Sequence, residues 1–159
     1  MSLKLLYAIL LTLMPVTELR VGLPLAISYA KEQNISIFLI FILIILVNIL
    51  LIFFIFFFLD KIHKFLLKWG AYKRIFGKFL KGFQKKVDKF EKKHKTWGIL
   101  ALTLFVAIPL PGTGAWTGCL LAWLLDLDRK KSILAISLGV LIAGLAILLL
   151  SLGFINLFK

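Results

Sequence analysis

The chain has 159 residues, 62% of them hydrophobic and 17% charged, with a formal net charge of +13. One water-soluble domain of this size is excluded, because soluble domains are roughly half apolar and a quarter charged and leave much of their surface wet. A nucleic-acid-binding domain is also excluded, because the positive charge is confined: thirteen of the 20 Lys and Arg lie between Asp60 and Thr96, beside only Asp60, Asp88 and Glu91. That is the pattern of a basic segment held against an anionic membrane face.

In chain order, the first apolar run is Leu5–Met14, too short to cross a bilayer. It meets Pro15, passes Glu18, Arg20, Gly22 and Pro24, and resumes to about Tyr29. Proline removes an amide donor and clashes with the preceding turn, so a re-entrant helical hairpin is expected over 1–31. The charges and prolines inside this run are unlike the apolar core of a cleaved signal peptide, so the segment is expected to be retained. Next comes a spanning helix over 32–59. Its apolar stretch Ile35–Leu59 has Asn48 as its one strongly polar residue, and is long enough for a core of about 30 Å. Residues 60–96 follow as an amphipathic helical segment, with apolar residues at three- and four-residue steps and lysines between them. It is expected to lie on anionic lipid headgroups along Lys61–Lys95. A second interrupted run, 97–126, breaks at Pro109, Leu110, Pro111, Gly112, Thr113 and Gly114 and gives a second re-entrant hairpin. The last span is expected at 132–153, with Gly139 and Gly144 allowing close helix packing.

The two breaks align without gaps at an offset of 96: Pro15 with Pro111, Thr17 with Thr113, Gly22 with Gly118, Leu25 with Leu121, Ala26 with Ala122. At the same offset Ser36 meets Ser132, at the head of each span. The expected fold is therefore an all-α integral membrane protein of two repeats, each a re-entrant hairpin followed by a transmembrane helix, joined by the basic amphipathic helix. Lys and Arg mark cytoplasmic flanks, which places 60–96 in the cytoplasm. Hairpin parity then makes the repeats inverted, a plan common in secondary transporters. A prokaryotic inner-membrane location follows, and so small a bundle would gain from forming a homo-oligomer.

Glu18 and Arg20 carry the sharpest functional signal. A charge at bilayer depth costs at least about 2.5 kcal/mol and faces a cavity or a partner. Glu18 could exchange a proton. Arg20 could bind an anionic headgroup through its planar fork, or the two could simply staple the tip. The second tip, Pro111, Gly112, Thr113, Gly114 and Trp116, offers backbone amides and the positive end of the half-helix behind them. An anion or the Glu18 carboxylate could sit there, and Trp116 could stack on a substrate or pack. Pro15, Gly22 and Asn48 complete the candidate site, Asn48 equally as an interhelical hydrogen-bonding residue. No nucleophile, base and orienting group stand together, so no catalytic residue and no enzyme chemistry are expected. Cys119 has no cysteine to pair with, and His63 and His94 lack ligand-spaced company, so no metal and no cofactor are expected.

The run from Glu18 to Ala26, with Pro109–Gly118 in the second half, resembles the small multidrug export protein family, itself related to the DedA (VTT-domain) membrane proteins. The resemblance covers nearly the whole chain. It implies facing re-entrant loops, transport linked to the proton-motive force, and movement of lipids such as a phosphorylated polyprenyl carrier. By that likeness Glu18 and Arg20 match the acidic and basic positions of the first loop, whereas the second loop here carries no charge. The expected function is a proton-coupled transporter or flippase for an amphipathic substrate such as a lipid-linked phosphate. The alternatives are a small multidrug exporter, a small ion channel and a non-transporting membrane-shaping protein.

Overall fold

The structure is a computed structural model describing residues 3–66, 95–110 and 112–157. The expected amphipathic character of 60–96 falls mostly on residues outside these, as does Pro111. Six helices appear among the described residues: α1 Leu3–Leu13, α2 Glu18–Glu32, α3 Ile37–Leu66, α4 Lys95–Ala107, α5 Ala115–Leu124 and α6 Arg129–Leu157. Two short helices followed by a long one thus occur twice.

α3 and α6 are the frame. Within them Ile37–Lys61 and Arg129–Gly153 are each 25 residues long and apolar enough to cross a membrane. At about 1.5 Å per residue each reaches ~37 Å, more than a bilayer core of about 30 Å. Their outward faces carry Phe38, Leu39, Leu50, Phe54, Leu134, Leu149 and Leu150, all more than half exposed. Water would penalise such a surface and lipid would not. The inward faces bury Ile44, Ile52, Ile55, Ile136 and Val140 against Leu23 and Ile27 of α2 and Cys119 of α5.

α3 and α6 run antiparallel. Arg129 pairs with Asp60 at one end, and fifteen residues along each helix Gly144 packs against Ile45. α2 and α5 both pack on this pair, α1 lies against α2 and α3, and α4 lies against α6 and α5. In each hairpin a glycine of the second helix admits the first. A Cβ at Gly22 would overlap Thr12 and the Ala8 carbonyl of α1, and one at Gly118 would overlap Val106 of α4. Lys4 and Glu32 tie the open end of the first hairpin at 2.6 Å.

Several expected boundaries move. The first break is confined to 14–17, and α2 restarts at Glu18 with Pro24 inside it. The turn survives at the break because Glu18 donates its amide to the Met14 carbonyl at 3.1 Å and Thr17 Oγ1 donates to the Leu11 carbonyl at 2.5 Å. Pro24 costs α2 only the bond its missing amide would make to Arg20. The first long helix begins at Ile37, since 33–36 form a turn, and it continues past residue 59 to Leu66.

The single offset of 96 does not carry through either. Asn34 and Asp126 hold left-handed φ values of 54° and 48° in matching turns. Each turn closes by a bond across five residues, Ile35 to Ala30 at 2.8 Å and Leu127 to Ala122 at 3.0 Å. There the offset is 92, because α5 has 10 residues where α2 has 15. The counterpart of Ser36 is therefore Asp128, whose carboxylate accepts the Lys131 amide at 2.9 Å as a helix cap. Ser132 lies inside α6 and is buried.

Two outcomes test this packing. A Cβ at Gly139 would overlap Val106 and the Thr103 carbonyl of α4, whereas one at Gly153 meets nothing. Gly139→Ala should cost about 1–3 kcal/mol of stability by overpacking, and Gly153→Ala should cost none, read as unfolding midpoints in detergent. Lys4 holds the exposed Glu32 carboxyl below its usual range. The pair's contribution is therefore complete above the ordinary Glu value of about 4.3 and lost as pH falls through the lower folded one. Lys4→Gln should lower the midpoint slightly at neutral pH and not at all in strong acid.

Candidate functional site

The two hairpin tips meet. Glu18, at the head of α2, is 6% exposed. Its carboxylate accepts the amides of Ala115 at 3.3 Å and Trp116 at 3.2 Å, the first two residues of α5. A helix N-terminus carries unsatisfied amides and a partial positive charge, which a carboxylate satisfies. The residue at the cap position of α5 is Gly114, which has no side chain to offer. The first hairpin thus caps a helix of the second. Glycine is needed there for the approach, since a Cβ at Gly114 would overlap the Glu18 carboxylate. Glu18 adopts φ 39°, a left-handed value costly for a residue with a Cβ. Such strain persists where surrounding contacts hold it.

The other contacts run in both directions across the tips. Arg20 Nη2 donates to the carbonyl oxygen and hydroxyl of Thr113. Thr113 is itself held in the break, its hydroxyl bonded to the carbonyls of Ile108 at 2.6 Å and Leu110 at 2.7 Å. Trp116 Nε1 donates to the carbonyl of Leu13, the last residue of α1, at 3.0 Å. Hairpin two therefore satisfies a helix C-terminus of hairpin one while hairpin one satisfies a helix N-terminus of hairpin two.

A cavity of about 10 Å³ lies at the junction, lined by Glu18, Arg20, Thr113, Gly114 and the α6 residues Val140 and Ala143 among others. That is room for about one water, so the tips are shut.

Of the sequence-predicted residues, Glu18, Arg20, Thr113, Gly114 and Trp116 come together. Pro15 shapes the first bend. Gly22 serves the α1–α2 contact away from the tips. Gly112 takes φ 83° in the second bend, with open space around it. Asn48 is fully buried in α3, and neither polar atom of its side chain has a partner among the described residues. Sequence reasoning missed the Leu13 carbonyl and the apolar wall from α6, because neither carries a side-chain signal.

A second, larger hollow of about 350 Å³ opens where the end of α3 meets the start of α6. It is lined by Phe56, Asp60, Ala122, Trp123, Asp126, Leu127 and Arg129. Arg129 binds Asp60 there and lies 5.3 Å from the Phe56 ring centre.

Fold and site together define an all-helical protein whose long apolar helices point to a membrane and whose short helices meet end to end between them. Residues 18–146, most of the chain, match the family model described as "Putative small multi-drug export protein", and the chain belongs to that family. No curated protein and no solved structure matches it.

Because Gly114 and Glu18 serve one contact, their substitutions should not add. Glu18→Ala and Gly114→Ala should each cost about 0.5–2 kcal/mol, the usual worth of a lost helix cap. The double variant should fall little below the worse single one, as coupled neighbours do. Unfolding midpoints of all four proteins check this, and simple additivity would contradict it.

Proposed function

We propose that the chain is a membrane exporter of amphipathic molecules, coupled to protons through Glu18, with the joined tips as its gate. The single observation that carries this is the Glu18 carboxylate of one hairpin seated on the N-terminus of α5 in the other. Such a contact is sensitive to charge. An ionised carboxylate accepts both amides and suits the positive helix end, while a protonated one loses the charge and must place a proton. Proton uptake at Glu18 would therefore weaken the latch and proton loss would restore it. Four cross-tip partners at about 1 kcal/mol each hold the gate with roughly 3–6 kcal/mol, an amount that fluctuations on a transport timescale overcome.

The same proposal takes the bundle as two inverted repeats in a prokaryotic inner membrane, with the Asp60–Arg129 end in the cytoplasm. Loop charge supports that direction, and the twice-repeated short, short, long helix order supports the repeat. Kinship with DedA-type proteins belongs to it too, carried by the run Glu18, Leu19, Arg20. Opening of the tips on alternate sides would then expose the same residues to each face in turn.

The family description favours a drug-like substrate. A lipid-linked phosphate is the second substrate class, favoured by one observation: Arg20 Nε is buried with no partner among the described residues. That leaves guanidinium capacity for an oxyanion once the tips part.

Transport into proteoliposomes under an imposed pH gradient tests this, with ethidium and a fluorescent polyprenyl phosphate offered side by side. The wild type should move at least one probe in a gradient-dependent way, and Glu18→Gln should reduce that rate about tenfold or more, since a permanently neutral side chain cannot cycle. Equal rates and equal pH dependence in the variant would sink the coupling. If Arg20→Gln abolishes movement of the phosphate but spares ethidium, the lipid class is supported. If it spares both, Arg20 is a latch alone.

A further inference from the structure

Proton exchange at Glu18 needs a route, and α2 and α5 bury this carboxylate among apolar side chains. The titratable and charged groups on elements packed near it are few: Arg20 on its own helix and Cys119 on α5. α3 between Ile37 and Leu59 and α6 between Ser132 and Gly153 contribute none, and Lys4 is held at the far end of α1 by Glu32. Two buried polar side chains on the long helices have no assigned role. Asn48 and Ser132 are each 0% exposed, and the Asn48 amide oxygen and nitrogen and Ser132 Oγ have no partner among the described residues. Buried polar groups are almost always bonded, so each such group calls for an explanation. A dry apolar bundle makes them unfavourable to keep without a use.

Their placement is ordered. Ser132, Ile136 and Val140 recur every four residues on the buried face of α6, and Val140 is part of the tip cavity wall. Ser132 stands three residues beyond Arg129, which lines the 350 Å³ hollow with Asp60 and Asp126. On α3 the antiparallel register set by Asp60 with Arg129 and Ile45 with Gly144 puts Asn48 level with residues 140–141. One turn further, the Ile52 carbonyl lies 3.9 Å from Cys119 Sγ on α5. From Ser132 to Val140 the helix rises about 12 Å. By this register Cys119 lies between the level of Ser132 and that of Asn48 along the helices.

We propose that Ser132, Cys119 and Asn48 mark a hydration path that carries protons between the Asp60–Asp126 hollow and Glu18. It rests on the proton-coupled function above and adds the side from which Glu18 is served. The hollow is the open end of the path, Ser132 is the entry, and Asn48, both donor and acceptor, is the last relay before the tips. Asn48 acts as a positioning residue for water and does not touch substrate.

The test is Asn48→Leu in proteoliposomes, with whichever of ethidium and the polyprenyl phosphate the wild type moves, and three readouts. Gradient-driven transport should fall about tenfold, the kinetic equivalent of about one lost hydrogen-bonded step. Counterflow of the same probe without a pH gradient should keep its wild-type rate. The unfolding midpoint should hold or rise, since an unpartnered buried amide is removed. Asn48→Ser should restore driven transport in part, and Ser132→Ala should lower it without affecting counterflow. Loss of both modes together would make Asn48 a substrate contact and overturn the path. A lowered midpoint would make it a structural hydrogen-bonding residue, with the same consequence. Unchanged driven transport, or movement of neither probe by the wild type, would also overturn it. Intact driven transport in Glu18→Gln beside a loss in Asn48→Leu would show the failure to lie in the coupling at Glu18.

Discussion

A single carboxylate seated on a helix end that belongs to another hairpin is the constraint on which the rest of this molecule depends. Glu18 sits in an apolar bundle where an unpaired charge would be costly, and the N-terminus of α5 has amides that Gly114 cannot satisfy. Each solves the other's problem. Much of the local sequence follows from that contact. Gly114 has no Cβ because the carboxylate occupies its place. Glu18 accepts a left-handed backbone because its side chain must reach across. Trp116 and Arg20 then fasten the remaining exposed ends of the two breaks to each other.

The frame around the tips is built differently. Between apolar helices in lipid there is little hydrophobic gain, so close packing does the holding. Gly22, Gly118, Gly139 and Gly144 all face side chains or backbone that a Cβ would strike. These contacts are numerous, short-range and insensitive to protons. The tip contacts are few, polar and sensitive to charge. A closely packed frame thus encloses a polar junction held by a few hydrogen bonds.

Much of this was legible in the residues. Two long apolar runs gave two long helices, because nothing in either interrupts the backbone hydrogen-bond ladder. The junction of Glu18 with the second break was foreseeable for an electrostatic reason: a buried acid needs donors, and a glycine-rich break ahead of a half-helix supplies them. The partner of Arg20 was not foreseeable, since it is largely the backbone of Thr113, and a carbonyl has no sequence signature. Pro24 misled because proline disfavours a helix interior, yet one missing bond is tolerated in a well-packed α2. The gapless offset of 96 fails at the far ends, where α5 is shorter than α2. Matches of Leu, Ala and Ser cannot register such a difference. Asn48 stood out as polar among apolar neighbours, but only the packed bundle shows that both ends of its amide are unpartnered.

The most direct test of the gate is the distance between the tips as Glu18 gains and loses its charge. Spin labels at Val16 and Leu110, both exposed beside the junction, would be measured by pulsed dipolar spectroscopy in lipid nanodiscs across a pH series. The account predicts one short distance while Glu18 is ionised and a second, longer population that grows on acidification. The Glu18→Gln variant should show that longer population at every pH. A single short distance at all pH values, unchanged by Glu18→Gln, would contradict it.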